Sequence, residues 1–465
     1  MKKKSVLRLL SGFIVLLLFY IGQHKLSNIV SRKDSFIRFA EFHNQKANFD
    51  VLFLGTSHVR NAIFPMELWK DYGIISYNLG GSGNPFAITY WQLINALDYF
   101  SPSLIVLDCA FLSVDAKYRH FNIGNYHSFL DSFPISANKL KMVFDLFEST
   151  HRKVEFIFTY VTYHDRWKKL GKNDFIVPVG REKGAETRIG IAAPKRDLKI
   201  PATKKYEGNS LSVKYLEKIL SLCAARNIEV LLTYYPFPAK ENEILESHRV
   251  FEIAQKYKLD YLSYEELKAL VDFDIDCFDS NSHLNPSGAR KITRFLGQYV
   301  HNHYNISDHR NDPKYASWHK EYQEYTQFKI GTIRNQKSLK NTLMLLSDRN
   351  FSYAVYFPND RLYQNKIIMK LLRNTGADME QIYFQSPNLI VIDNKKKKVR
   401  YCKVAENANS SFGKLSVKKI NDGSVFALNG QKILEVKNGE KLEAAVIVFD
   451  NDSGKRVAAQ KYQAL

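Results

Sequence analysis

Apolar positions along the chain fall into three patterns, and each predicts different elements. Residues 9–21 form a charge-free hydrophobic stretch behind a basic N-terminus. From about residue 51, short continuous apolar runs alternate with amphipathic segments. Strands are predicted over 51–54, 74–79, 104–107 and 229–234, and helices over 65–71, 87–99, 213–226, 240–257 and 287–300. The continuous run at 104–107 reads as a strand buried on both faces, as in a parallel sheet. Strands and helices in alternation imply an α/β fold with a doubly wound, mostly parallel sheet. Between 115 and 212 this rhythm fails, and the aromatic, charged stretch is too long for a loop, so a partly helical insertion or lid is expected there.

Beyond residue 304 the texture changes again. The polar, proline-marked stretch 305–318 reads as a linker, and 319–465 as a smaller α+β accessory domain with a strand at 353–357. Asn451, Asp452, Ser453 and Gly454 signal a hairpin turn between strands at 444–450 and 455–462. Lys395 to Lys398 reads as a solvated hairpin end. The expected organisation is an N-terminal anchor at 1–25, a main domain at 45–304, the linker and the accessory domain. No internal repeat is found.

A chain of 465 residues with 45% hydrophobic content can bury more than one core. The formal net charge of +20 suits an anionic environment. Lys2, Lys3, Lys4 and Arg8 precede the run at 9–21, which is short against the roughly 20 apolar residues of a helical span. Counting from Ser5, with Arg8 reaching back to the headgroups, brings it near the lower limit of about 17. No Ala-x-Ala cleavage site follows, so an uncleaved single-pass anchor is expected, with its N-terminus cytoplasmic and the rest of the chain extracytoplasmic. That placement excludes nucleic acid and favours the cell membrane and anionic surface polymers as partners. Cys109, Cys223, Cys277 and Cys402 are too few and too scattered for a disulfide framework or a zinc site, and neither metal nor cofactor is expected.

Candidate chemistry lies at the ends of the predicted strands. Gly55-Thr56-Ser57-His58 follows the first strand, where a small-residue turn can present a serine at a helix start. The same residues could simply cap that helix. Asn78-Leu79-Gly80-Gly81-Ser82-Gly83 follows the second strand. Far downstream stand Asp279-Ser280-Asn281-Ser282-His283 and Leu284-Asn285-Pro286, where His283 could also be an ordinary loop residue before a helix.

In this order the blocks resemble those of the SGNH/GDSL hydrolase superfamily, whose flavodoxin-like fold the resemblance implies for residues 45–304. Ser57 would be the nucleophile, His283 the general base and Asp279 its orienting carboxylate, with Asp276 a reachable alternative. The Ser57 and Gly83 N–H groups would form the oxyanion hole, Gly80 being the fallback. The sequence departs from the family pattern in three places. Thr56 stands where an aspartate is usual, Asp279 precedes the histidine by four residues rather than three, and no Gly-x-Asn-Asp block follows residues 104–111.

The layout also resembles membrane-anchored SGNH-like proteins of surface-polymer modification, such as the D-alanine-transfer protein of teichoic acid synthesis and the alginate O-acetylation proteins. Tyr163-His164-Asp165-Arg166-Trp167 is similar to a phrase in such chains. Tyr163, His164, Arg166 and Trp167, with His58, are therefore candidate substrate contacts. The resemblance implies a serine esterase or O-acyltransferase, of O-acetyl type, acting on surface polysaccharide or a teichoic-acid-like polymer, with a multispanning membrane O-acyltransferase as a possible partner. The other reading open at this stage is a noncatalytic SGNH-like protein that binds an anionic polymer or assembles with a membrane acyltransferase.

Overall fold

The computed structural model describes residues 3–30, 41–45, 48–110, 112, 123–133, 136–175, 180–193, 211–237, 241–281, 283–437 and 440–463. Part of the insertion expected at 115–212, and Ser282, lie outside them. The chain divides into two compact units. One comprises Met1–Glu186, Asp197–Lys268 and Thr293–Trp318, the other Thr187–Arg196, Ala269–Ile292 and His319–Leu465.

The first unit opens with helix α1 (Lys3–Val30), whose stretch Val6–Ser27 is long and apolar enough to cross a membrane. Next come β1 (Val51–Leu54), α2 (Ser57–Ala62), α3 (Pro65–Tyr72), β2 (Ser76–Asn78), α4 (Phe86–Ala96) and β3 (Leu104–Asp108). The insertion supplies α5 (Ile123–Leu130), α6 (Ala137–Leu146), α7 (Thr150–Ile157) and the single turn α8 (Tyr160–Tyr163). The alternation then resumes with α9 (Leu211–Ala225), β4 (Glu229–Thr233), α10 (Glu241–Tyr257), β5 (Asp260–Leu262) and α11 (Tyr264–Lys268).

All pairings in this sheet are parallel, and the strand order is β2-β1-β3-β4-β5. Every residue of β1 and β3 is buried, which is why both read as continuous apolar runs. The order reverses between β1 and β3, and the crevice outside the carboxyl ends of strands at such a switch point is where open α/β sheets place ligands. The insertion is pinned to the unit by Asp145, which accepts from Trp91 Nε1 and the Tyr215 hydroxyl, both at 2.7 Å.

The stretch expected as a linker is tied down within this unit. His309 Nε2 lies 3.1 Å from Asp50 Oδ1, Arg310 donates to the Lys70 carbonyl, and Trp318 is buried against Trp69 and Phe49.

The second unit contains helices α13 (Ala316–Arg334, of which Trp318 and the residues before it belong to the first unit), α14 (Leu339–Leu345), α15 (Lys366–Asn374) and α16 (Met379–Gln385), and the start of α12 (Pro286–His303). Its strands are β6 (Phe351–Tyr356), β7 (Leu389–Asp393), β8 (Lys398–Cys402), β9 (Asn407–Ser410), β10 (Gly413–Ile420), β11 (Gly423–Leu428), β12 (Gln431–Lys437), β13 (Leu442–Asp450) and β14 (Arg456–Gln463). They form two antiparallel sheets, ordered β14-β13-β6-β7-β8 and β12-β11-β10-β9.

Alternation along the central strands feeds two cores. Tyr353, Val355, Val446 and Val448 pack with the helices, while Ala354, Tyr356, Ala445 and Ile447 face the core shared with the second sheet. The hairpin expected at 451–454 joins β13 to β14, with the Gly454 N–H donating to the Asp450 carbonyl. Lys395 to Lys397 form the exposed turn between β7 and β8.

Candidate active site

Ser57 is the first residue of α2, directly beyond the carboxyl end of β1. The turn that puts it there needs glycine at 55. Gly55 has φ +140°, and a Cβ would stand 2.4 Å from Asp108 Cβ. Thr56 is extended and caps the helix, its hydroxyl accepting from the His58 N–H. That hydroxyl donates in turn to Asp108 Oδ2 at 2.7 Å, and the Thr56 N–H reaches the same oxygen at 3.3 Å.

Asp108, the last residue of β3, is fully buried, and burial pushes its carboxyl pKa up. The donors around it act against that rise: the Thr56 hydroxyl and the N–H groups of Thr56, Ala110 and Tyr235. The turn after β1 thus takes its carboxylate from the neighbouring strand rather than from position 56. Sequence reasoning passed over Asp108, although an aspartate closing a buried apolar run at a strand's carboxyl end was a usable signal.

The Thr56 hydroxyl has one hydrogen, directed at Asp108, so toward His58 Nδ1, 3.3 Å away, it can only accept. This places the His58 proton on Nδ1 and the ring's acceptor on Nε2. The imidazole stacks on Phe237 at 4.9 Å between ring centres.

Asn78 organises the glycine block. Its Nδ2 donates to the Val59 carbonyl within α2 and the Ile63 carbonyl just beyond it, and its Oδ1 accepts from the Gly80 N–H, all at 2.9 Å. Gly80 has no room for a side chain, since a Cβ would meet Arg60 N at 2.6 Å and Thr56 O at 2.8 Å. The N–H groups of Gly80 and Gly81 are already directed, to Asn78 Oδ1 and the Gly55 carbonyl. Gly83 sits in the following turn at φ +61°. Arg60 ties α2 to that turn, bonding Ser82 Oγ at 2.7 Å and Glu186 at 2.9 Å.

Asp279 and His283 belong to the second unit. A small hairpin brings them together: Cys277 bridges Leu284, and the Phe278 N–H donates to the His283 carbonyl. Asp279 Oδ2 lies 2.8 Å from His283 Nδ1, and its Oδ1 accepts the N–H groups of Asn281 and His283. The spacing of four residues is closed by this turn. A carboxylate only accepts, so Nδ1 carries the proton and Nε2 is left as the basic nitrogen. Both side chains are partly exposed, and the ring stacks on Phe278.

Asp276, the other carboxylate considered, is differently engaged. It is wholly buried and bonded to Lys291 Nζ and Ser287 Oγ, each at 2.6 Å, at the start of α12.

The other candidates lie in the insertion. The Tyr163 hydroxyl donates to Asp131, which together with Glu155 brackets the buried His127. His164 Nδ1 lies 2.7 Å from the Val161 carbonyl. Arg166 bonds the Val30 carbonyl and Asp174, while the cation over the exposed Trp167 ring is Lys168. All four cysteines are free and buried; burial pushes the Cys223 thiol up to about 12 and Cys109 well above its usual value. Among the described residues, no group of three or more His, Cys, Asp or Glu could hold a metal.

No family model matches the chain, and no curated protein matches it. Among solved structures it is similar to the crystal structure of a "putative acylhydrolase" from Bacteroides fragilis NCTC 9343. The two share 13% identity over 57% of this chain and 95% of the other, with a TM-score of 0.30.

Proposed function

We propose that the protein is a membrane-anchored, extracytoplasmic serine esterase or O-acyltransferase of O-acetyl type. Its substrate class is a cell-surface or exported polysaccharide or teichoic-acid-like polymer. The observation that carries this reading is the 2.8 Å bond from His283 Nδ1 to Asp279, which orients a loop imidazole with Nε2 as its base. Ser57, on its glycine-dependent turn at the sheet's switch point, is the nucleophile in this reading.

His283 takes the Ser57 hydroxyl proton as Oγ attacks the ester carbonyl, and the negative charge moves to the carbonyl oxygen. The N–H groups of Ser57 and Gly83 stabilise that oxyanion, each worth about 3 kcal/mol. Collapse expels the alcohol, which receives the proton from His283, and leaves an acyl-serine. Water or a sugar hydroxyl then takes the acyl group by the reverse sequence.

The basic residues ahead of the apolar run at 9–21 favour a cytoplasmic N-terminus and an outward-facing enzyme. One helix cannot carry an acyl donor across a bilayer, so a transferase of this design works beside a multispanning membrane O-acyltransferase. The test is acetyl release from a chromogenic acetate ester by the full chain, with and without an added oligosaccharide. Release lost in Ser57→Ala supports the reading, and acceptor-dependent stimulation marks transfer. Release unchanged in Ser57→Ala overturns it.

A further inference from the structure

Helix α1 is apolar on all sides. Leu9, Leu16 and Phe19 are about two-thirds exposed with Leu10, Phe13, Val15 and Leu18 also open, a pattern that suits lipid rather than water. Yet its most apolar stretch, residues 9–21, is only about 20 Å long, against a hydrocarbon layer of about 30 Å. Beyond it the helix carries Gln23, Lys25 and Ser27.

The insertion covers this polar end. Tyr20, Gln23, Ser27 and Val30 lie three, four and three residues apart, on one helix face, and Gln23, Ser27 and Val30 are buried. Gln23 Nε2 donates to the Ile157 carbonyl at the end of α7, Ser27 Oγ to the Gln23 carbonyl, and Arg166 to the Val30 carbonyl. Tyr20 packs edge-on against Phe158. Polar groups near hydrocarbon are thus satisfied internally, as lipid requires.

The same segment exposes Val161 at 52%, Trp167 at 61% and Phe175 at 66%, with Lys168, Lys169 and Lys172 among them. Exposed aromatic rings with flanking lysines, on a segment already packed against a membrane-length helix, match the chemistry of the lipid–water interface, where Trp rings settle and Lys stems reach anionic headgroups.

We propose that residues 157–175 form a membrane-interface collar. Val161, Trp167 and Phe175 enter the interface of the leaflet at the carboxyl end of α1, and Lys168, Lys169 and Lys172 lie at its anionic headgroups. The collar covers the polar end of α1 and holds the first unit against the bilayer. This rests on the anchoring part of the proposed function and is independent of the catalytic part.

The test uses the full chain in nanodiscs of phosphatidylcholine and phosphatidylglycerol brominated close to the headgroup. The other three tryptophans, Trp69, Trp91 and Trp318, are buried in the protein. Bromination is expected to quench part of the emission of the parent chain, and Trp167→Phe to abolish that quenchable part. A parent chain that is not quenched, or a Trp167→Phe variant quenched as much as the parent, overturns the collar, as does a protein partner shielding this face. Resistance of the full chain to alkaline extraction from vesicles reports α1 separately, so failure of the anchor and failure of the collar are distinguishable.

Discussion

The Thr56 hydroxyl donates to Asp108 Oδ2 across 2.7 Å, joining the turn after β1 to the last residue of β3. The bond closes the switch point of the sheet, and it makes the position of Ser57 depend on a carboxylate from another strand.

Replacing either partner is therefore expected to disturb both fold and activity. Asp108→Ala leaves the donors of Thr56, Ala110 and Tyr235 buried without their acceptor, at a cost of roughly 1–3 kcal/mol for each such group. Chemical denaturation of the variant measures that loss. Thr56→Val is expected to lower kcat by more than KM changes, while Thr56→Ser, which keeps the hydroxyl, stays near the parent.

Asp276 and Asp279 are three residues apart and are expected to fail in opposite ways. Asp279→Asn loses the carboxylate that sets the His283 tautomer, and a comparable loss in a serine triad costs about 10⁴-fold in kcat. Its stability changes little because the residue is partly exposed. Asp276→Asn breaks a buried pair with Lys291 and a bond to Ser287, and destabilises the protein by roughly 2–4 kcal/mol, with the partial exposure of Lys291 reducing the full cost of such a break. Paired denaturation and ester-release measurements on the two variants separate these roles.

The insertion is expected to weaken as pH rises. Burial alone would lower the pKa of His127, but its bonds to Asp131 and Glu155 outweigh this and raise it. A histidine whose folded pKa is raised stabilises the fold fully below its ordinary value of about 6.5, and that contribution is lost as pH climbs through the folded value. Hydrogen exchange over residues 123–163 is expected to be faster at about pH 9 than at about pH 6 beyond the intrinsic chemical effect. His127→Gln is expected to remove that difference.

Much of the parallel sheet was legible because strands such as 104–107 are buried on both faces and read as unbroken apolar runs. The turn between 451 and 454 was legible because Asn, Asp and Gly carry turn chemistry. The pairing of Asp279 with His283 followed from the reach of a short turn. Asp108 was not legible, since nothing local shows that β3 lies beside β1. Nor could periodicity show that residues 269–292 belong to the second unit while 293–318 belong to the first, because a helix crossing from one to the other keeps the same amphipathic pattern throughout. The roles of Gln23 and Ser27 were hidden for a related reason: polar residues at the end of an apolar helix acquire meaning only from what covers them.

Ser57 as a nucleophile activated by His283 is tested most directly by a fluorophosphonate probe on the full chain, with the adduct located by peptide mass spectrometry. The account predicts a single adduct on Ser57, absent in Ser57→Ala and slowed by orders of magnitude in His283→Ala. Labelling that is absent from the parent chain, or that persists at the same rate in Ser57→Ala, would contradict it.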